Sequence, residues 1–167
     1  MMEAILKPQM DYLLLLQNFR EITGHCLDDF FLNITKCGEV AIPIILLSFV
    51  YWCVNKHTGI YMAWNLGLGL FCNQFLKLTA CIYRPWIIDN RIKPLGDAVK
   101  MATGYSFPSG HTAISAAVWG GLGIKTWTKK YLSLIFILIA LLVAFSRNYI
   151  GVHTPQDVIV SLFWDFK

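Results

Sequence analysis

The chain has 167 residues, of which 56% are hydrophobic and only 14% charged, with a formal net charge of +4 and a mean hydropathy of +0.54. That length allows one domain. The composition excludes an ordinary soluble globule, in which about a quarter of the residues carry charge. The apolar residues stand in blocks with charges pushed between them, the pattern of a polytopic membrane protein. No cationic n-region or small-residue cleavage site opens the chain, so no removable signal peptide is expected. Cys26, Cys37, Cys53, Cys72 and Cys81 form no CxxC or Cys/His spacing and read as apolar packers rather than zinc ligands.

In chain order, residues 1–20 mix Glu3, Lys7, Asp11 and Arg20 with four leucines at 13–16. That run is too short to cross a bilayer and predicts a helix lying in the interface, with Pro8 interrupting any earlier start. Residues 23–36 read as a polar connector carrying Asp28 and Asp29 and the sequon Asn33-Ile34-Thr35. A first span is predicted over 37–54, with Glu39 near one end, Pro43 inside and Tyr51-Trp52 in an interfacial belt. A tight turn at 55–58 leads to a second span over 59–76, where Gly67 and Gly69 offer close helix contact. A long loop, 84–105, holds Arg91, Lys93, Asp97 and Lys100. The third span, 109–124, is rich in Ala and Gly and should pack among other helices. A basic turn at 125–130 precedes an uncharged fourth span, 131–145, and a polar loop, 146–156. A fifth helix starts near Thr154, with Pro155 at its first position and Thr154-x-x-Asp157 as a capping arrangement. Only ten residues follow Asp157. That is about 15 Å of helix, half a bilayer, so the chain is expected to be C-terminally incomplete.

The turns carrying Lys56 and Lys125, Lys129 and Lys130 fall on one face and hold no acid. Short basic turns mark the cytoplasmic side, so the other face should open outward. On that outer face lie Lys77 with Arg84, then Ser109-Gly110-His111, then Ser146-Arg147 with His153 and Asp157. Three cations converging on a helix start describe a pocket for a tetrahedral oxyanion, with the backbone of Ser109 and Gly110 as further donors. Taken singly, each part has a plainer reading: a snorkelling cation, a loop histidine or an ordinary cap. Asp157 lies four residues after His153 and can fix its tautomer, leaving the other ring nitrogen free to attack. His111 would then protonate the departing oxygen. No carboxylate cluster calls for Mg²⁺ or Ca²⁺, so the expected chemistry uses no metal and no cofactor.

Lys77-x6-Arg84-Pro85, Pro108-Ser109-Gly110-His111 and Ser146-Arg147-x5-His153-x3-Asp157 together resemble the three-part signature of the type 2 phosphatidic acid phosphatase superfamily. That group includes membrane lipid phosphatases and glucose-6-phosphatase and shares its core with vanadium haloperoxidases. The resemblance implies an all-α transmembrane bundle, with six spans in typical membrane members and the last ones truncated here. It also implies a phosphohistidine on His153, with His111 as acid then base and Asp157 orienting His153. Lys77, Arg84, Ser109, Gly110 and Arg147 would hold the phosphate.

Residues 1–167 are therefore read as one membrane-embedded phosphatase domain, with 1–36 as interfacial helix and connector and 37–167 as the bundle. The expected reaction is hydrolysis of a lipid phosphate or pyrophosphate. A non-catalytic lipid or anion transporter and a sugar-phosphate phosphatase are the alternatives. The expected partners are the lipid substrate and the bilayer, with no nucleic acid. The expected location is a bacterial inner membrane with the site facing the periplasm.

Overall fold

In hydrocarbon every backbone N–H and C=O must pair within the chain, which leaves helices or a closed barrel. This chain uses helices. The computed structural model describes residues 2–165, and no strand occurs among them. Helix α1 is Met2–Ile22. Helix α2, Asp28–Ile34, continues as a 3₁₀ turn, Thr35–Gly38. Helix α3, Ala41–Phe49, runs into a π turn, Val50–Val54, and α4 is Lys56–Ala80. Two short helices, α5 (Pro85–Ile88) and α6 (Ala98–Met101), sit in the long loop. Helix α7, Gly110–Ser115, passes through a π turn, Ala116–Gly120, into α8, Gly121–Lys125. Helices α9, Lys130–Tyr149, and α10, Pro155–Asp165, follow.

The α7–α8 run forms the centre, touching α4, α9 and α10. Its small residues permit that closeness. A Cβ on Gly121 would stand 2.8 Å from the Asn65 amide nitrogen, and one on Gly123 would stand 2.7 Å from Ile137 Cγ1. Val50, Met62, Leu66, Ile114, Val118 and Leu122 form the main apolar core between α3, α4 and this run. Around it, large apolar side chains face outward, including Phe49, Trp64, Phe71, Phe75, Leu134 and Leu138. Such an outer surface would be costly in water and is ordinary against lipid. Lys56–Ile88 and Lys130–Tyr149 are long and apolar enough to cross a bilayer, and the pair Asp28–Gly38 and Ala41–Val54, bent by 55°, passes the same test only when taken together, as a broken span or a re-entrant loop.

Several expectations need correction. Helix α1 runs through Pro8. A proline there removes one hydrogen bond near the helix start, and burial of Met10 and Leu13 against Ile92 holds the helix to the body. The connector folds as α2, because Phe31 stacks on Tyr149, ring centroids 4.2 Å apart, and packs on Phe145. Pro43 falls inside the Ala41–Val54 segment as expected, but as the third residue of α3, so its missing N–H costs no helical bond. The turn before α4 shrinks to Asn55, whose side chain caps the helix by accepting the Thr58 N–H at 3.0 Å. Gly67 faces open space rather than a neighbouring helix. The fourth span does not stop at Phe145: Ser146 and Arg147 belong to the last turn of α9, buried against the core. A polar pair ended the hydropathy run without ending the helix.

Candidate active site

Each charged side chain reaches the site from the end of a helix. Lys77 sits one turn before the end of α4, and Arg84 precedes Pro85, which opens α5. Gly110 and His111 open α7, and Arg147 closes α9. His153 occupies the loop before α10. A cavity of about 130 Å³ is lined by Lys77, Arg84, Ala102, Thr103, Gly110, His111, Arg147 and His153. The two histidines, far apart in sequence, thus share one cavity wall with three cationic side chains.

His153 is almost wholly buried. Arg84 Nη1 lies 2.9 Å from its Nε2, and Asp157 Oδ2 lies 3.3 Å from its Nδ1. Arginine can only donate, so Nε2 must accept and Nδ1 must carry the proton, facing the carboxylate. Burial holds this imidazole well below its ordinary pKa; the Asp157 hydrogen bond opposes that shift and the Arg84 charge adds to it. The resting ring is neutral, with its lone pair directed at Arg84.

Asp157 Oδ2 accepts from the Thr154 N–H at 2.9 Å and the Ser106 hydroxyl at 2.5 Å. The Asp157 N–H in turn donates to Thr154 Oγ1 at 3.3 Å. The capping pair expected at the start of α10 forms, with Asp157 facing the histidine as well.

Arg84 does not hold its fork open. It also donates from Nε to Gly104 O at 3.1 Å, from Nη1 to Val152 O at 3.2 Å and from Nη2 to Thr103 O at 2.9 Å. Four of its five N–H groups are therefore engaged. Arg147 is the opposite case: Nη1 donates to Thr35 Oγ1 at 2.9 Å, while its buried Nε has no partner among the described residues.

Ser109 stands apart from the other phosphate candidates. It does not line the cavity; its hydroxyl caps α7 by accepting from Thr112 Oγ1 at 2.9 Å and the Thr112 N–H at 3.5 Å. Its own N–H donates to Asp157 O at 3.2 Å, so that donor is engaged as well.

Three contributors escaped the sequence reading. Ser106 lies in a loop with no spacing to mark it, and Thr35 lies in what read as a connector. Gly38 packs so tightly on α7 that a Cβ would stand 2.8 Å from His111 O and 3.2 Å from His111 Cβ. A small residue after the sequon was the one available hint. Among the described residues no group of three or more His, Cys, Asp or Glu is placed to hold a metal ion.

A family model described as the PAP2 superfamily matches residues 58–164. The chain is similar to an undecaprenyl-diphosphatase of Sulfolobus acidocaldarius, 29% identical over 130 residues, which cover 77% of this chain and 60% of that protein. It is also similar to a lipid A 4'-phosphatase of Bacteroides thetaiotaomicron, 25% identical over 145 residues, 80% of this chain and 63% of the relative. The chain thus spans less than two thirds of either relative. The crystal structure of a transmembrane PAP2-type phosphatidylglycerolphosphate phosphatase from Bacillus subtilis superposes with a TM-score of 0.77 at 24% identity, covering 98% of this chain and 81% of that one. That likeness shows the fold.

Proposed function

This chain belongs to the PAP2 superfamily, and on that premise we propose that it is an integral-membrane phosphatase hydrolysing a lipid phosphate or pyrophosphate through a phosphohistidine. One observation carries the reading: His111 and His153 line a single cavity with Lys77, Arg84 and Arg147, and Asp157 stands behind His153. Pure transport of an anion needs the cations but not the His–Asp pair.

The incoming phosphate offers Arg84 Nη1 a charged acceptor in place of His153 Nε2, which frees the ring's lone pair. Nε2 then forms an N–P bond as the P–O bond to the lipid breaks, and His111 gives its proton to the departing lipid oxygen. Asp157 stabilises the charge that develops on the His153 ring. In the second half His111 takes a proton from water, the water oxygen bonds to phosphorus and the P–N bond breaks. Its electron pair returns to Nε2, and inorganic phosphate leaves. Lys77, Arg84 and Arg147 balance the charge on the equatorial oxygens throughout. The backbone N–H of Gly110, at the first turn of α7, adds a fixed donor at the cavity wall.

A lipid substrate suits the apolar outer surface around this site, since its tail can remain in the bilayer. Phosphate release from phosphatidic acid in mixed micelles, with EDTA present, tests the reading. The parent should turn over under chelation. His111→Ala should lose about 10²–10⁴-fold in kcat, and His153→Ala at least as much. Release that persists in His153→Ala, or that stops on chelation, would refute the mechanism.

A further inference from the structure

Ser106 is fully buried, two residues before Pro108 and outside the cavity wall. Its hydroxyl lies 2.5 Å from Asp157 Oδ2. That is the length of a charge-assisted O–H···O⁻ bond, among the stronger hydrogen bonds proteins make. Its backbone N–H donates to Ile82 O at 2.8 Å, fixing it to the segment that delivers Arg84. The carboxylate oxygen that faces His153 is therefore held from two sides, by Ser106 and by the Thr154 N–H. The His153 contact, at 3.3 Å, is the longest of the three. The histidine does not position the carboxylate. The serine and the helix cap do, and the carboxylate then positions the histidine.

We propose that Ser106 is a positioning residue for the nucleophile, the outer member of a Ser106–Asp157–His153 chain that fixes the ring as its Nδ1–H tautomer. This inference rests on the phosphatase reading for its kinetic consequence, but not for its structural one. Without the hydroxyl, Oδ2 keeps one firm donor instead of two and the carboxylate can rotate off the ring. The ring then loses part of the bias that presents Nε2 to phosphorus. The cations that meet the phosphate are untouched, so ground-state binding is preserved.

The test uses Ser106→Ala, Asp157→Ala and the double variant in the full chain. Loss of a supporting partner of this kind typically costs about 10–100-fold. Ser106→Ala should lower kcat by that range while KM and competitive inhibition by inorganic phosphate stay within about twofold. In the Asp157→Ala background it should cost nothing more, because the two act through one chain. A residue important only for packing would instead lower the melting temperature and multiply through both backgrounds. Wild-type kcat in folded Ser106→Ala, or full multiplicativity, overturns the proposal. A readout independent of turnover is the ¹⁵N imidazole spectrum, in which the His153 Nδ1–H resonance should weaken in Ser106→Ala. If the parent shows no phosphatase activity but this resonance responds, the phosphatase reading fails and the positioning role stands. An unchanged resonance overturns the positioning role whatever the activity.

Discussion

Arg147 carries a buried Nε with no acceptor among the described residues, and its Nη1 donates to Thr35 Oγ1. A donor left so costs about 1–3 kcal/mol, a deficit that a phosphate oxygen in the cavity would relieve. Thr35→Val removes that acceptor and should release the guanidinium from its orientation. KM for the lipid phosphate should rise, and unfolding in detergent should come earlier by about 1–3 kcal/mol. Steady-state kinetics and a thermal melt check the two effects. His153 sets the pH response. Its folded pKa lies below the ordinary imidazole value, chiefly through burial. The reactive form is the neutral ring, so its fraction falls only as pH drops through that lowered value. Activity should therefore lose none of its His153 contribution between pH 7 and about 5.5, where a solvent-exposed imidazole would already be mostly charged. A pH profile of kcat/KM with an acid limb for this residue near pH 6.5 would contradict the burial described here.

At the scale of elements, the site depends on contacts that side-chain-bearing residues would forbid. A Cβ on Gly38 would lie 2.7 Å from Val143 Cγ1 and 2.8 Å from His111 O. Gly38→Ala must therefore push α7 and α9 from the 3₁₀ turn, destabilising by about 1–3 kcal/mol and displacing His111. Gly67→Ala, with nothing within 4 Å of the new methyl, should stabilise α4 by about 0.5–1 kcal/mol. Melting temperatures and kcat for the pair separate crowding from helix propensity. The contrast also marks what sequence can and cannot reveal. Gly67 read as a contact glycine because small residues are the visible signal of close helices, yet which face they occupy is decided by packing. The α10 cap was legible because Thr154, Pro155 and Asp157 act within one turn. Helix α2 was not, because its polar first turn matches a loop and its stability comes from Phe31 on Tyr149 and Phe145, more than a hundred residues away. For the same reason the three motifs pointed to one site from their chemistry, whereas Thr35, Gly38 and Ser106 belong to it only through tertiary contact.

At the scale of the molecule, helix lengths separate the basic turns from the cavity. Lys56 and Lys77 are 21 residues apart on α4, about 32 Å, close to the hydrocarbon thickness. Lys130 and Arg147 are 17 apart on α9, about 25 Å. The positive-inside rule predicts that the turns at Asn55 and at 126–129 face the cytoplasm and the cavity the opposite side. Single cysteines at Arg91 and Lys129, in a cysteine-free background, read this orientation. A membrane-impermeant maleimide on intact cells should label position 91, and position 129 only after permeabilisation; the reverse pattern inverts the topology. Helix α1 braces the cavity end of the bundle, with Arg20 Nη2 donating to Lys93 O at 2.9 Å and Gln17 accepting the Lys93 N–H at 2.8 Å.

The hydrogen bond from Arg84 to His153 Nε2 has one more consequence. A bare, neutral imidazole at a membrane surface would be open to acylation by the activated esters and thioesters that pass through lipid metabolism. Here the lone pair of its one accepting nitrogen is engaged by the Arg84 guanidinium, for which an anion entering the cavity would compete. On the proposed mechanism a neutral electrophile offers that guanidinium no better acceptor, so the contact that orients the ring would also select for anions.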